Sequence, residues 1–229
     1  RKSILVRVAV LFVLLGSVTA VSMGIIAYSF AKHAIAKNMY NAHKDVVWQL
    51  SKSIDFEVQK NLAIITSLYY DENLKKIFME NNASEYEMIQ MEARAVDIVR
   101  QTKNTQPLNN CNIILFDASG GVYGMVTEGT DFTWLEGKPY FSKLASSRSI
   151  IWEGGSTGIG KNNEGRFIIS AIKAVKDKHG RVLYYIVAET DEKVFFDLYK
   201  GTLNLNNTIC IVDEYGTIAS SSIREQNGE

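Results

Sequence analysis

Proline, cysteine, histidine and any excess of one charge are all scarce in this sequence, and each scarcity closes off a class of protein. Two prolines in 229 residues leave no proline-rich linker and, with only 16 glycines, no collagen-like or low-complexity stretch. Basic and acidic residues balance at 25 each, so the chain lacks the basic surplus that marks a nucleic-acid-binding domain. No nucleic-acid partner is expected. The three histidines, His33, His43 and His179, have no metal-ligand spacing, and neither metal nor cofactor is expected. The two cysteines, Cys111 and Cys210, each open an apolar strand-like run, where a thiol packs as a small hydrophobe. A nucleophilic cysteine needs an exposed, activated setting instead, so no catalytic residue is assigned. Whether the two cysteines pair stays open.

Charge is missing most conspicuously near the start. Val8 to Ala31 is a run of 24 residues without a charged side chain, rich in Val, Leu, Ile, Ala and Phe. A bilayer core of about 30 Å needs roughly 20 such residues as a helix, whereas a cleaved signal peptide has an apolar core of about 7–15. An uncleaved membrane anchor is expected. The flanking charges tie, Arg1, Lys2 and Arg7 against Lys32, Lys37 and Lys44. The long region after the anchor breaks the tie, because long translocated regions largely escape the charge rule. Residues 32–229 are expected outside. The sequence opens without methionine and stops at Glu229 just after a strand-like run, and it is read as a fragment.

Beyond the anchor, no Gly or Pro interrupts residues 25–106. Val47, Leu50, Ile54, Val58, Leu62, Ile65 and Tyr69 recur every three or four residues as one helical stripe. A helix from Ala31 to Tyr70 would extend roughly 60 Å at 1.5 Å per residue. The stripe is expected to pack on the chain's own domain and to add dimer contacts near the membrane. Ser84 and Glu87 have capping-box spacing, opening a helix to about Lys103. Residues 102–110 read as a loop. Strands follow over Asn112–Phe116, Val122–Val126, Ser149–Trp152, Arg166–Val175 and Val182–Glu189. A short helix at Tyr140–Ser146 interrupts them, and Asp191 caps a last helix, Glu192–Lys200.

One pattern occurs twice. Ile114-Leu-Phe-Asp117-Ala-Ser-Gly120-Gly-Val122 matches Cys210-Ile-Val-Asp213-Glu-Tyr-Gly216-Thr-Ile218, at an offset of 96 residues. Each reads as a strand, a tight turn in which Asp bonds the backbone and Gly takes positive φ, and a second strand. Asp177-Lys-His-Gly180 makes a third such turn. The offset points to two similar modules in series.

Gly154-Gly-Ser-Thr-Gly158-Ile-Gly160-Lys161 imitates a nucleotide loop. A phosphate-binding loop needs a helix directly after it, whose free N–H groups meet the anion. Here Asn162-Asn-Glu-Gly165 and then a strand follow, and Asn162 stands where a Ser or Thr would hold magnesium. A hairpin loop is the favoured reading.

The anchor, stalk helix, strand set and repeat together resemble a double Cache sensor, the extracellular PAS-like module of bacterial receptors. The likeness covers nearly the whole chain after the anchor. Its most telling stretch begins at Gly137-Lys-Pro-Tyr-Phe141 and continues through Trp152, Gly154–Gly158, Ile169-Ser170, Asp177 and Gly180. The arrangement is similar to that of YesM-type sensor histidine kinases, in which the double Cache region precedes a second membrane span, a HAMP linker and a kinase domain. By this alignment Lys138 stands for an arginine, Tyr140 and Phe141 for an aromatic pair, and Glu189 for an acid. In amino-acid-binding relatives those positions hold the ligand's carboxylate and amine. They are altered here, since lysine offers a point charge in place of a bidentate fork and glutamate is one methylene longer than aspartate.

The resemblance implies an α+β fold: a cytoplasmic stub and transmembrane helix at 1–31, a stalk helix plus membrane-distal Cache module at 32–205, and the start of a membrane-proximal module at 206–229. It implies an extracytoplasmic sensory region, not an enzyme in this stretch, that responds to a small molecule or a ligand-bearing partner protein and works as a homodimer. The residues add two points of their own. Val182-Leu-Tyr-Tyr-Ile-Val-Ala188 is apolar on both faces, so both faces of that strand are expected to be covered. Phe132, Trp134, Tyr140, Phe141 and Trp152 crowd into 21 residues, offering aromatic walls beside two charged groups. The expected ligand-binding set is Trp134, Lys138, Tyr140, Phe141, Trp152 and Glu189. A chemoreceptor or diguanylate cyclase carrying the same sensor is the first alternative, and a membrane-tethered nucleotide-dependent enzyme a distant one.

Overall fold

The computed structural model describes residues 2–79, 85–105, 111–124, 129–159, 166–202 and 208–228. They divide into two compact units, Arg1–Ser51 and Lys52–Glu229.

The first unit is helical throughout, formed by the leading part of helix α1 (Lys2–Tyr70). Among the described residues α1 is the one helix long and apolar enough to cross a membrane. Its apolar side chains, Phe12, Leu15, Met23 and Phe30 among them, are exposed. Three hydroxyls in its uncharged run bond within the helix. The hydroxyls of Ser17, Thr19 and Ser22 donate to the carbonyls of Val13, Leu15 and Val18, one turn back, at 2.7–3.1 Å. That is the arrangement hydrocarbon demands, because no water is present there to take the proton.

The second unit is built on a five-stranded antiparallel sheet in the order β2-β1-β5-β4-β3. The strands are β1 (Cys111–Asp117), β2 (Val122–Gly124), β3 (Ile151–Ser156), β4 (Ile168–Lys176) and β5 (Val182–Asp191). Central β5 pairs with β1 (Phe116 opposite Tyr185) and β4 (Val187 opposite Ile172). Side chains alternate in direction along a strand, and both faces are buried, as the apolar run predicts. On one face Tyr184, Ile186 and Ala188 join Ile113, Leu115 and Ala171 beneath Ile64, Ile65 and Leu68 of α1. Helices α2 (Glu72–Met79) and α3 (Glu85–Thr105) contribute Leu74, Ala95 and Val99 to this layer. On the other face Tyr185 and Val187 meet Ile114, Phe116, Ile172 and Ala174, covered by Leu135, Tyr140 and Leu144.

The buried stripe of α1 lies slightly aside from the sequence expectation. Ile64 and Leu68 are fully buried and Val47 is exposed, because the sheet rather than the helix's own periodicity chooses the covered face. Tyr184 reaches across to donate to the Leu68 carbonyl at 2.9 Å, and Asn61 and Thr190 bond each other in the same layer at 3.0 Å. Helix α1 ends at Tyr70, and the Asp71 carboxylate accepts from the Leu74 N–H at 2.8 Å, starting α2. The expected capping box at Ser84 lies outside the described residues, and α3 runs on to Thr105.

Short helices α4 (Thr133–Glu136) and α5 (Phe141–Leu144) follow β2, and α6 (Glu192–Tyr199) follows β5 with Asp191 accepting from the Lys193 N–H as its cap. The chain closes with a hairpin of β6 (Cys210–Val212) and β7 (Ile218–Ser221). All three Asp-x-x-Gly turns have one geometry. Asp117, Asp177 and Asp213 each accept, on one carboxylate oxygen, the N–H groups two and four residues ahead at 2.7–2.9 Å. Gly120, Gly180 and Gly216 sit at φ of 85–98°, where a side chain would be strained. Both cysteines are free thiols, Cys111 buried and Cys210 exposed.

Candidate functional site

The face of the sheet covered by α4 and α5 carries most of the expected site. Phe132 packs edge-on or tilted against Phe116, Phe141 and Tyr185, with ring centroids 5.7–6.0 Å apart. The turn between α4 and α5 brings Lys138 over the Trp134 ring at 4.1 Å, within cation–π range. Its ammonium donates to Oε1 of Glu153 at 2.8 Å, and Oε2 of the same carboxylate accepts from the Tyr140 hydroxyl at 2.8 Å. The side chains of Lys138 and Glu153 are each only 16% exposed, so the pair is largely withdrawn from water. Burial, and then the neighbouring Glu153 carboxylate, push the Tyr140 phenol well above its ordinary pKa and keep it a hydrogen-bond donor. The Tyr140 ring stacks on Tyr215 of the β6–β7 turn, centroids 5.9 Å apart and planes 14° apart.

Glu189 points to this same face, in line with its strand neighbours Tyr185 and Val187. It is 2% exposed. Its Oε1 accepts the Ile159 N–H at 2.7 Å and its Oε2 the Asn112 amide at 3.4 Å. Burial raises its pKa to about 6 despite those hydrogen bonds and the nearby Lys138. A carboxylate in this setting is held by neutral donors rather than by a cation.

Trp134, Lys138, Tyr140, Phe141 and Glu189 thus share one side of the sheet. Trp152 does not. Alternation along β3 sends Ile151 and Glu153 to the aromatic side and Trp152 to the opposite one, where it packs on the helix-covered layer and with Ile54 and Val58. Sequence reasoning missed Glu153, Asn112, Ile159 and Tyr215. Glu153 was within reach, since it follows Trp152 on a strand and must face away from it. The partners of Glu189 were not, because a loop backbone N–H leaves no mark in sequence.

The first two glycines of the run are structural. Gly154 and Gly155 lie within β3, at a shift of register between Glu153 and Ser156. A Cβ on Gly154 would come within 2.1 Å of the Ala219 Cβ, and one on Gly155 within 2.4 Å of the Gly228 Cα. The Gly154 N–H donates to Asp213 at 3.2 Å. The run therefore lets the β6–β7 hairpin approach β3 backbone to backbone. Gly160, Lys161 and Asn162 lie outside the described residues. Among the described residues no group of three His, Cys, Asp or Glu is placed to hold a metal ion.

No protein-family model and no curated protein matches the sequence. Solved structures do. The sensor domain of the Vibrio cholerae histidine kinase DctB aligns with 83% of this chain and 69% of its own at 15% identity and a TM-score of 0.58. The ligand-binding domain of the Campylobacter jejuni chemoreceptor Tlp3, in complex with L-valine, aligns over 79% and 69% at 14% identity and a TM-score of 0.48. That of the Pseudomonas fluorescens chemoreceptor CtaA, in complex with L-isoleucine, aligns over 81% and 74% at 13% identity and a TM-score of 0.47. These neighbours are the sensor domain of a histidine kinase and the ligand-binding domains of two chemoreceptors. The fold of this chain is α+β, a long apolar helix followed by the antiparallel sheet of a Cache or PAS-like sensor.

Proposed function

We propose that the chain is the extracytoplasmic ligand-sensing region of a transmembrane receptor, with a two-component sensor histidine kinase as its output. One observation carries the reading. A single helix holds both the uncharged run long enough for a membrane and, at residues 64–68, part of the core of a Cache-type sheet. That the DctB neighbour is the sensor of a histidine kinase supports the choice of output. Residues 8–31 span the membrane, residues 32–229 lie outside, and the hairpin from Cys210 opens a second module like the first. The stalk helix pairs with that of a second copy.

A small molecule, free or delivered by a partner protein, binds on the α4–α5 side among Trp134, Lys138, Tyr140, Phe141 and Glu189. It signals by binding two receptor states with different affinity. The test is a thermal-shift screen of metabolites against the full chain in detergent, followed by calorimetry on Trp134→Ala and Glu189→Ala. Losing a buried charge-assisted contact weakens binding by about 1.5–3 kcal/mol, tenfold or more. Unchanged affinity in both variants, with both still folded, removes the assignment.

A further inference from the structure

Helix α1 carries charge of one sign on both sides of its uncharged run. Residues 1–44 hold Arg1, Lys2, Arg7, Lys32, Lys37 and Lys44 and no acidic residue, in a chain whose charges balance at 25 each. Acidic side chains begin at Asp45. From there to Tyr70 they outnumber the basic ones, with Asp45, Asp55 and Glu57 against Lys52 and Lys60.

The changeover falls at a physical distance. At 1.5 Å per residue, Lys44 stands about 20 Å beyond Ala31, where the uncharged run ends. The headgroup layer is about 5–8 Å deep on each side of the hydrocarbon, and the field of an anionic surface fades over a further 8–10 Å or so at moderate salt. The one-signed stretch thus ends within about a turn of where an anionic lipid surface ceases to be felt.

The positions also share a face. At about 100° per residue, His33, Lys37, Tyr40 and Lys44 lie on one side of the helix, and Ile35, Met39, Ala42 and Val46 on the opposite side as a heptad-type seam. All eight side chains are exposed. Lys32, Lys37 and Lys44 pair with no carboxylate among the described residues. A merely solvated helix face mixes both signs; this one does not. Nor do these lysines serve insertion, because on the translocated side they oppose the charge rule.

We infer that the stripe of His33, Lys37, Tyr40 and Lys44 docks on the anionic phospholipid headgroups of the leaflet from which α1 emerges. The lysine ammonium groups donate to phosphate oxygens, and the Tyr40 ring with its hydroxyl suits a layer that is part apolar and part wet. Lys32, nearest the hydrocarbon, reaches the same layer by its long stem. The inference rests on the reading of residues 8–31 as a span with residues 32–229 outside, and it adds the lipid as a partner. Headgroups held on one face leave the Ile35–Val46 seam on the other for the second copy.

Electron spin resonance tests it, with the full chain in phosphatidylcholine vesicles and a trace of spin-labelled phosphatidylglycerol or phosphatidylcholine. The fraction of each label immobilised on the protein gives the preference between them. Phosphatidylglycerol is preferred at low salt, and the preference shrinks at about 0.5 M salt. Replacing all three lysines, Lys32→Gln, Lys37→Gln and Lys44→Gln, lowers it about threefold or more. Glutamine suits an exposed helix, so this variant folds. Lys178→Gln, exposed on the β4–β5 turn, leaves the preference unchanged. Equal immobilisation of the two labels overturns the inference, as does a preference that the triple variant keeps, held then by Arg1, Lys2 and Arg7. Either result leaves the span standing, since both labels are immobilised. No immobilised label of either kind overturns the span and the inference together. The side of the membrane is decided separately, by thiol labelling of Cys210 in intact cells.

Discussion

Glu189 should make this protein less stable as pH rises, the reverse of a salt-bridged carboxylate. Its pKa is about 6 in the folded chain against an ordinary 4.5. Between those two values the folded protein keeps a proton that the unfolded chain has lost. The stability that Glu189 contributes is therefore full below about pH 4.5 and is lost as pH climbs through 6. A difference of 1.5 pH units at 1.36 kcal/mol per unit is about 2 kcal/mol. For a unit of this size that is roughly 4–8 °C in Tm.

The cause is burial, since the carboxylate is 2% exposed and its contacts are a backbone N–H and an amide rather than a cation. Glu189→Gln removes the titration and keeps an oxygen to accept from Ile159. The assay is thermal unfolding of both proteins in detergent at pH 4.5, 6 and 7.5, followed by near-ultraviolet circular dichroism. Other carboxylates give both proteins a common pH dependence, and the difference between the curves isolates Glu189. Relative to wild type, the variant gains about 2 kcal/mol between pH 4.5 and 7.5. Parallel curves would refute the reasoning, because the carboxylate would then be as well solvated or paired in the folded chain as in the unfolded one.

Two further expectations rest on close contacts. Gly154→Ala places a methyl 2.1 Å from Ala219; overpacking of this kind costs about 1–3 kcal/mol, read as faster amide exchange across residues 210–221 with the main sheet still protected. A membrane-impermeant maleimide labels one thiol per chain in intact cells, at exposed Cys210. Cys111, 3% exposed with its thiol pushed up to about 12 by burial, reacts only after denaturation. Labelling that waits for cell lysis would reverse the proposed topology.

What the sequence determined by itself was local. An uncharged run marks a membrane-length helix because every peptide in hydrocarbon must be bonded internally. An Asp three residues before a Gly writes the same turn three times because both requirements, a side-chain acceptor and a positive φ, are met within five residues. Asp191 caps α6 for the same reason, and an apolar strand with no polar face announces cover on both sides. The tertiary structure decided the pairings between distant segments. Lys138 meets Glu153 rather than Glu189, and Trp152 turns away from the other aromatics, because a strand has two faces and only packing chooses which one meets α4 and α5. Tyr215 reaches Tyr140 across 75 residues because Gly154 and Gly155 let two backbones touch. A glycine run in sequence states only that a side chain is missing; what fills the space is settled by whatever the fold brings there.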